Sequence, residues 1–241
     1  MEGVSRLGIL AIALAAALPP AARAQGCPVP AGASARLEVA TAESRLAFLR
    51  SRLGAEAGRV RTWQLWWSVG YGGLAVGQLA AVPFAEGAGP KADWAVGAAS
   101  AATGMGLVLL FPPDVGSNEA RLASLPPDGC PSLAEAERLF EGAAASEAAQ
   151  TGWLVHAGNL LLNAGFGLVL GLGWQRWESA AWTFALGTAL GEATILTQPT
   201  RLGHDLERYR AGDLASGEPA RARLVPVPTR GGLVLALAAS F

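Results

Sequence analysis

The sequence predicts an all-α membrane protein: four transmembrane helices as two tandem two-helix repeats, an external helical stalk and a short C-terminal β-hairpin. Three observations lead there. The composition is 51% hydrophobic and 15% charged, with a mean hydropathy of +0.33, which is too apolar for an ordinary soluble domain. Four long segments are apolar and nearly free of charge. Gly26-Cys27-Pro28 recurs as Gly129-Cys130-Pro131, and each copy is followed by an amphipathic stretch, two apolar segments and a proline, Pro112 or Pro199.

At the N-terminus, Arg6 precedes an apolar stretch over residues 7–18, and Ala22-Arg23-Ala24 then supplies a small-x-small site. This is the layout of a signal peptide over residues 1–24, cleaved after Ala24. About twelve apolar residues are too few to span a core that needs roughly 20. Ala24-Gln25-Gly26 is a poor lipobox, so a disulfide rather than a lipid is expected on Cys27.

The four spanning segments are residues 63–84, 94–111, 153–174 and 180–198. Their apolar residues do not alternate with polar ones, and runs such as Leu160-Leu161-Leu162 suit helices rather than barrel strands. The tryptophans at 63, 66, 67, 94, 153, 174, 177 and 182 fall at or near segment ends, where an amphipathic ring favours the membrane interface. Glycines crowd the segments, as expected where helices must approach closely without a hydrophobic drive between them.

The repeat divides the mature chain into residues 25–113 and 114–200, followed by a tail over 201–241. Two spans per unit give both copies the same orientation, related by an axis along the membrane normal. Each unit opens on a stretch with apolar residues at spacings of three and four: Val39, Ala42, Leu46, Leu49 and Leu53 in the first, and Leu133, Ala136, Phe140 and Ala143 in the second. Two such short helices are expected to pack in parallel as a stalk. Cys27 and Cys130 open equivalent units on the oxidising side, which predicts a disulfide between them.

The chemistry is sparse. Recognised catalytic, nucleotide and metal motifs are missing, so no catalytic residue, metal site or cofactor is expected. A net charge of −1 gives no basic surface for nucleic acid. The sharper signal is polar side chains inside apolar segments, which cost free energy unless they face protein or water. His156, Asn159 and Asn163 are spaced i, i+3 and i+7, on one helical face. Shifted by 95 residues they correspond to Arg61, Gln64 and Ser68, so a repeated polar stripe is expected to face the bundle axis. Glu192 is the acidic residue well inside the last segment, at a depth similar to Asn159. It reads as interhelical hydrogen-bonding glue or as a proton-handling carboxylate.

Residues 201–211 extend as a charged surface helix, and residues 212–220 resemble a linker. Residues 223–227 and 233–240 flank Thr229-Arg230-Gly231-Gly232 as a hairpin.

The function expected is that of a non-enzymatic envelope membrane protein, a structural or interaction subunit whose partners are the lipid bilayer and a protein partner or a second copy. The alternative is a small ion- or proton-coupled permeation unit using Glu192. A third reading is an intramembrane enzyme with His156 and Glu192 as acid and base. The expected location is the bacterial inner rather than outer membrane, with both termini periplasmic.

Overall fold

The computed structural model describes residues 27–215 and the strand residues 221–229 and 232–240. The expected signal peptide, residues 216–220, the hairpin's Arg230 and Gly231, and Phe241 lie outside the described residues.

After a short helix α1 (Ala35–Glu38), the 40-residue helix α2 (Ala42–Ala81) carries the first amphipathic stretch and the first apolar segment without a break. Thr41 caps its start, accepting the Ser44 N–H at 3.2 Å. At about 1.5 Å per residue α2 is about 60 Å long, twice the thickness of a bilayer core. A 3-10 turn, Val82–Phe84, contains Pro83 and ends it. Gly87, at φ +85°, turns the chain into α3 (Ala88–Leu110). Pro112 and Pro113 then separate α3 from α4 (Val115–Ser124). The chain continues through α5 (Cys130–Gln150), α6 (Trp153–Trp174), α7 (Trp177–Leu196) and α8 (Leu202–Arg210).

The molecule has two ends of opposite construction. At one end, α1, the first half of α2, α4, α5 and α8 close around a shared core that includes Leu46, Leu49 and Leu53 with Leu133, Ala136, Phe140 and Ala143. Val39 is the exception among the expected seam residues, at 84% exposed. The two-helix stalk is thus a headpiece of several helices. Leu122 from α4 and Leu202 and Tyr209 from α8 cover apolar flanks that a two-helix seam would leave open to water. Residues 201–211 are accordingly not only a surface helix: Leu202, Asp205 and Tyr209, at i, i+3 and i+7, are buried. Cys27 and Leu214 pack on the same core, so both ends of the helical body lie at the headpiece.

At the other end, the stem, two helix hairpins stand side by side: the second half of α2 with α3, and α6 with α7. They touch where α3 meets α6 and α7, with Ala92 and Val96 of α3 against Leu170 of α6 and Ala180 of α7. Much of the stem's outer side is apolar and exposed, as at Leu65, Val76, Leu109, Leu161, Leu168 and Leu172.

The expected class is corrected here. The body is all-helical, and among the described residues two helical stretches, not four, have the length and hydropathy of a membrane span: Ala88–Ser124, which contains α3, and Trp153–Trp174, which is α6. The other two segments are diluted by polar and small residues. The lower half of α2 interleaves Gln64, Ser68, Gln78 and several glycines with its Leu and Val, and α7 carries Glu178, Thr183, Thr188, Glu192 and Thr194. Nor does a hairpin form a layer of this fold: residues Arg221–Thr229 (β1) and Gly232–Ser240 (β2) pair antiparallel with each other alone, as a two-stranded ribbon at the end of an otherwise helical chain.

Candidate functional site

The polar side chains that the sequence places inside apolar segments meet mainly on one hairpin. Trp153 and Trp174 bound α6, and Gln175, in a left-handed conformation at φ 56°, turns the chain directly into α7. That tight turn sets α6 and α7 antiparallel, so that residue 156 lies opposite residue 192. His156 Nδ1 is 2.5 Å from Glu192 Oε2, and Asn159 Nδ2 donates to Glu192 Oε1 at 2.9 Å. The same Asn159 amide donates to the Thr188 carbonyl at 3.0 Å. Asn163 Nδ2 donates to Asn159 Oδ1 at 2.8 Å and to the Asn159 carbonyl at 2.9 Å. His156 and Glu192 are part-exposed, at 33% and 29% for the side chains, whereas Asn163 is buried at 5%. The network therefore runs from an open carboxylate–imidazole end to a closed amide end.

Two glycines on α7 make this approach possible. A Cβ on Gly191 would lie 2.0 Å from Asn159 Oδ1, and one on Gly187 would lie 2.1 Å from Asn163 Oδ1. The first hairpin uses the same device with other side chains: Gln78 fills the space beside Gly97, and Tyr71 that beside Gly104. The α6 stripe thus packs against α7, and Asn159 and Asn163 also line the space between the two hairpins. Gln64 donates to the Val108 carbonyl at 3.1 Å, and Ser68 Oγ is buried without a hydrogen-bond partner among the described residues. Neither joins the Glu192 network.

The hairpins are tied at two levels. Toward the headpiece, the Tyr71 and Thr194 hydroxyls are 2.9 Å apart, and the Trp63 and Trp67 indoles donate to Thr197 Oγ1 at 3.3 and 2.9 Å. At the far end, Arg176 pairs with Asp93, whose carboxylate also accepts from Ser179 at 3.0 Å. Alongside these ties the hairpins part around a cleft of about 910 Å³, lined from Trp94 near the far end to Gln150 and Gln198 at the headpiece end.

The headpiece holds polar groups that the sequence reading did not single out. Arg45, 1% exposed, donates to Tyr209 at 3.0 Å and to the carbonyls of Cys27 and Pro28 at 3.2 and 2.9 Å, and pairs with Glu137. Tyr209 also donates to Glu137, and burial together with that carboxylate pushes its phenol up, so it stays a donor. One guanidinium thereby joins the N-terminal segment, α2, α5 and α8. Beside it, Cys27 and Cys130 form a disulfide with Cα atoms 5.1 Å apart, within the usual range for such a bond. The signal was present in the sequence: Arg45, Arg52 and Arg59 recur every seven residues, next to the apolar seam.

Glu147 forms a second buried centre at the end of α5. Its carboxylate accepts the Leu202 N–H at 3.1 Å, capping the start of α8. Burial pushes its pKa from the ordinary 4.5 to about 7; the Leu202 N–H opposes the rise, Glu56 and Asp205 add to it, and Arg59 opposes it.

No protein-family model, curated protein or solved structure matches this chain.

Proposed function

We propose that the chain is a non-enzymatic membrane protein of a bacterial cell envelope, a structural or interaction subunit that holds a disulfide-tied helical headpiece above the bilayer on an apolar stem. The observation that carries this reading is the division of the molecule into a headpiece with a closed core and a stem whose apolar side chains point outward. Helix α6 illustrates it. It begins and ends on tryptophan and is 22 residues long, or about 33 Å, close to the roughly 30 Å of a hydrocarbon core. Only 22% of its apolar window is buried, which is not the burial of a core helix in a soluble protein. Exposed Trp66 and Trp153 lie at the headpiece end of the stem, and Trp174 and Trp177 at the far end, the two levels at which indole rings favour a membrane interface.

The disulfide supports an oxidising compartment for the headpiece, here the periplasmic side of the inner membrane. Both ends of the helical body would share that side. The headpiece would then be the surface offered to a protein partner. Crosslinking in native membranes followed by purification tests this directly: a defined crosslinked partner or homo-oligomer is expected in the membrane fraction. Recovery in the soluble fraction, or only as an uncrosslinked monomer, would overturn it.

A second reading, permeation of protons or small ions by way of Glu192, is favoured by one observation, the contact between Glu192 and His156 at the open end of the network. Proteoliposomes test it. Proton flux that is lost in Glu192→Gln would support it, and equal flux in both proteins would remove it.

A further inference from the structure

The cleft between the two hairpins is lined from all four stem helices, and its wall bears no acid, base or histidine among the described residues. Glu192 and His156, the charged end of the polar network, are not on it. We propose that this cleft is a binding site for a single uncharged long-chain amphiphile, with its tail along α3 and a hydrogen-bonding head group at the headpiece end.

Size, shape and chemistry support this occupant. At about 910 Å³ the cleft lies within the roughly 300–1,000 Å³ of small-molecule sites. Along α3 its lining residues run from Trp94 to Phe111 at helical spacing, a length of about 25 Å at 1.5 Å per residue. A space so long and so apolar suits a hydrocarbon or isoprenoid chain better than a compact solute. Its headpiece end carries Gln150 and Gln198, whose side chains already meet at 2.9 Å, with Trp63 beside them. Two primary amides have spare donors and acceptors for a carbonyl or hydroxyl. They offer no counter-charge to a phosphate or carboxylate, and burying such a group unpaired is costly. The occupant is therefore neutral, of the class of a diacylglycerol, a long-chain alcohol or a prenylated quinone.

The cleft also has a place to block it. Gly158 lines the cleft, and a Cβ built there meets nothing within 4 Å, so Gly158→Phe adds a ring to the space without displacing a neighbour at its root. Gly70 is equally open but is not on the wall, so Gly70→Phe serves as the control.

The test uses the full chain in detergent with a brominated diacylglycerol as probe, because Trp63, Trp94 and Trp182 line the cleft and bromine quenches nearby indoles. Saturable quenching is expected in wild type and Gly70→Phe, with apparent affinity weakened about tenfold or more in Gly158→Phe. Linear quenching of equal slope in all three proteins would mean bulk partitioning and overturn the site. So would unchanged affinity in Gly158→Phe. Equal affinity for a brominated fatty-acid anion would overturn its preference for a neutral head group. Solvent extraction of the wild-type protein purified from native membranes gives an answer independent of the variants: a neutral amphiphile enriched over bulk lipid is expected, and a bulk-lipid composition would count against the proposal.

Discussion

Asn163 sets its amide oxygen against Gly187 so closely that a Cβ on the glycine would lie 2.1 Å away. One turn along, Asn159 stands in the same relation to Gly191 at 2.0 Å. The i, i+4 pair of asparagines on α6 thus fits an i, i+4 pair of glycines on α7, and the amides hydrogen-bond to each other, to the Thr188 carbonyl and to Glu192. Close backbone approach and polar satisfaction are a single arrangement here.

Gly187→Ala and Gly191→Ala should each lower stability by about 1–3 kcal/mol through overpacking. Gly173→Ala, at a position with open space around the Cβ, should be neutral or stabilise by up to about 1 kcal/mol through helix propensity. Thermal unfolding in detergent reads all three. Equal melting temperatures for the Gly187 and Gly173 variants would show that the hairpin does not depend on the asparagine–glycine fit.

At Glu192, the Gln variant keeps an acceptor for Asn159 and a group for His156, whereas Leu leaves both without that partner. Interhelical hydrogen bonds of this kind average about 0.6 kcal/mol. Melting temperature should therefore fall in the order wild type, Glu192→Gln, Glu192→Leu. Identical values for all three would show that the carboxylate adds nothing to the packing of α6 on α7.

The Cys27–Cys130 bond closes a loop over a sequence separation of 103. A loop of about this length contributes up to about 4.7 kcal/mol by chain entropy, and measured values more often lie at 2–4. Cys27→Ala/Cys130→Ala should therefore lower headpiece stability by about 2–4 kcal/mol and free the segment that Arg45 holds through the Cys27 and Pro28 carbonyls. Stability unchanged by the double substitution would contradict this.

What the sequence showed, and what it hid, follows from where each signal sits. The disulfide was legible because Cys27 and Cys130 sit in the same Gly-Cys-Pro triplet, and the α6 polar face because His156, Asn159 and Asn163 keep helical spacing. The glycine slots were not. Gly187 and Gly191 are two among many glycines, and only the three-dimensional register of α6 on α7 picks them out. The span count was misread because length and scarcity of charge were weighed without the polar and small residues that lower the hydropathy of α2 and α7. The headpiece was underestimated because residues 115–124 show no apolar seam of their own in the sequence, and because Arg45 and Arg52, charged residues beside the seam, are buried against Tyr209 and Asp205.

Glu147 gives the headpiece a pH dependence whose sign is opposite to that of an ordinary salt-bridged carboxylate. Its pKa is about 7 in the folded protein against an ordinary 4.5, so between those values the folded state holds a proton that the unfolded state has released. Stability is then fully present below about pH 4.5, falls as pH rises through 7, and levels off above it. At about 1.4 kcal/mol per pKa unit the change amounts to at most about 3 kcal/mol, and to less where solvent screens the carboxylate. Glu56 and Asp205 act in the same direction as burial, while Arg59 and the Leu202 N–H act against it. Glu147→Gln keeps an acceptor for the Leu202 N–H and cannot ionise. It should therefore flatten the fall between pH 5 and 8 while leaving stability at pH 5 near that of wild type. Denaturant unfolding of the full chain across that range measures both slopes. If stability instead rises with pH in wild type, or the Gln variant keeps the wild-type slope, the buried carboxyl is not the group that titrates.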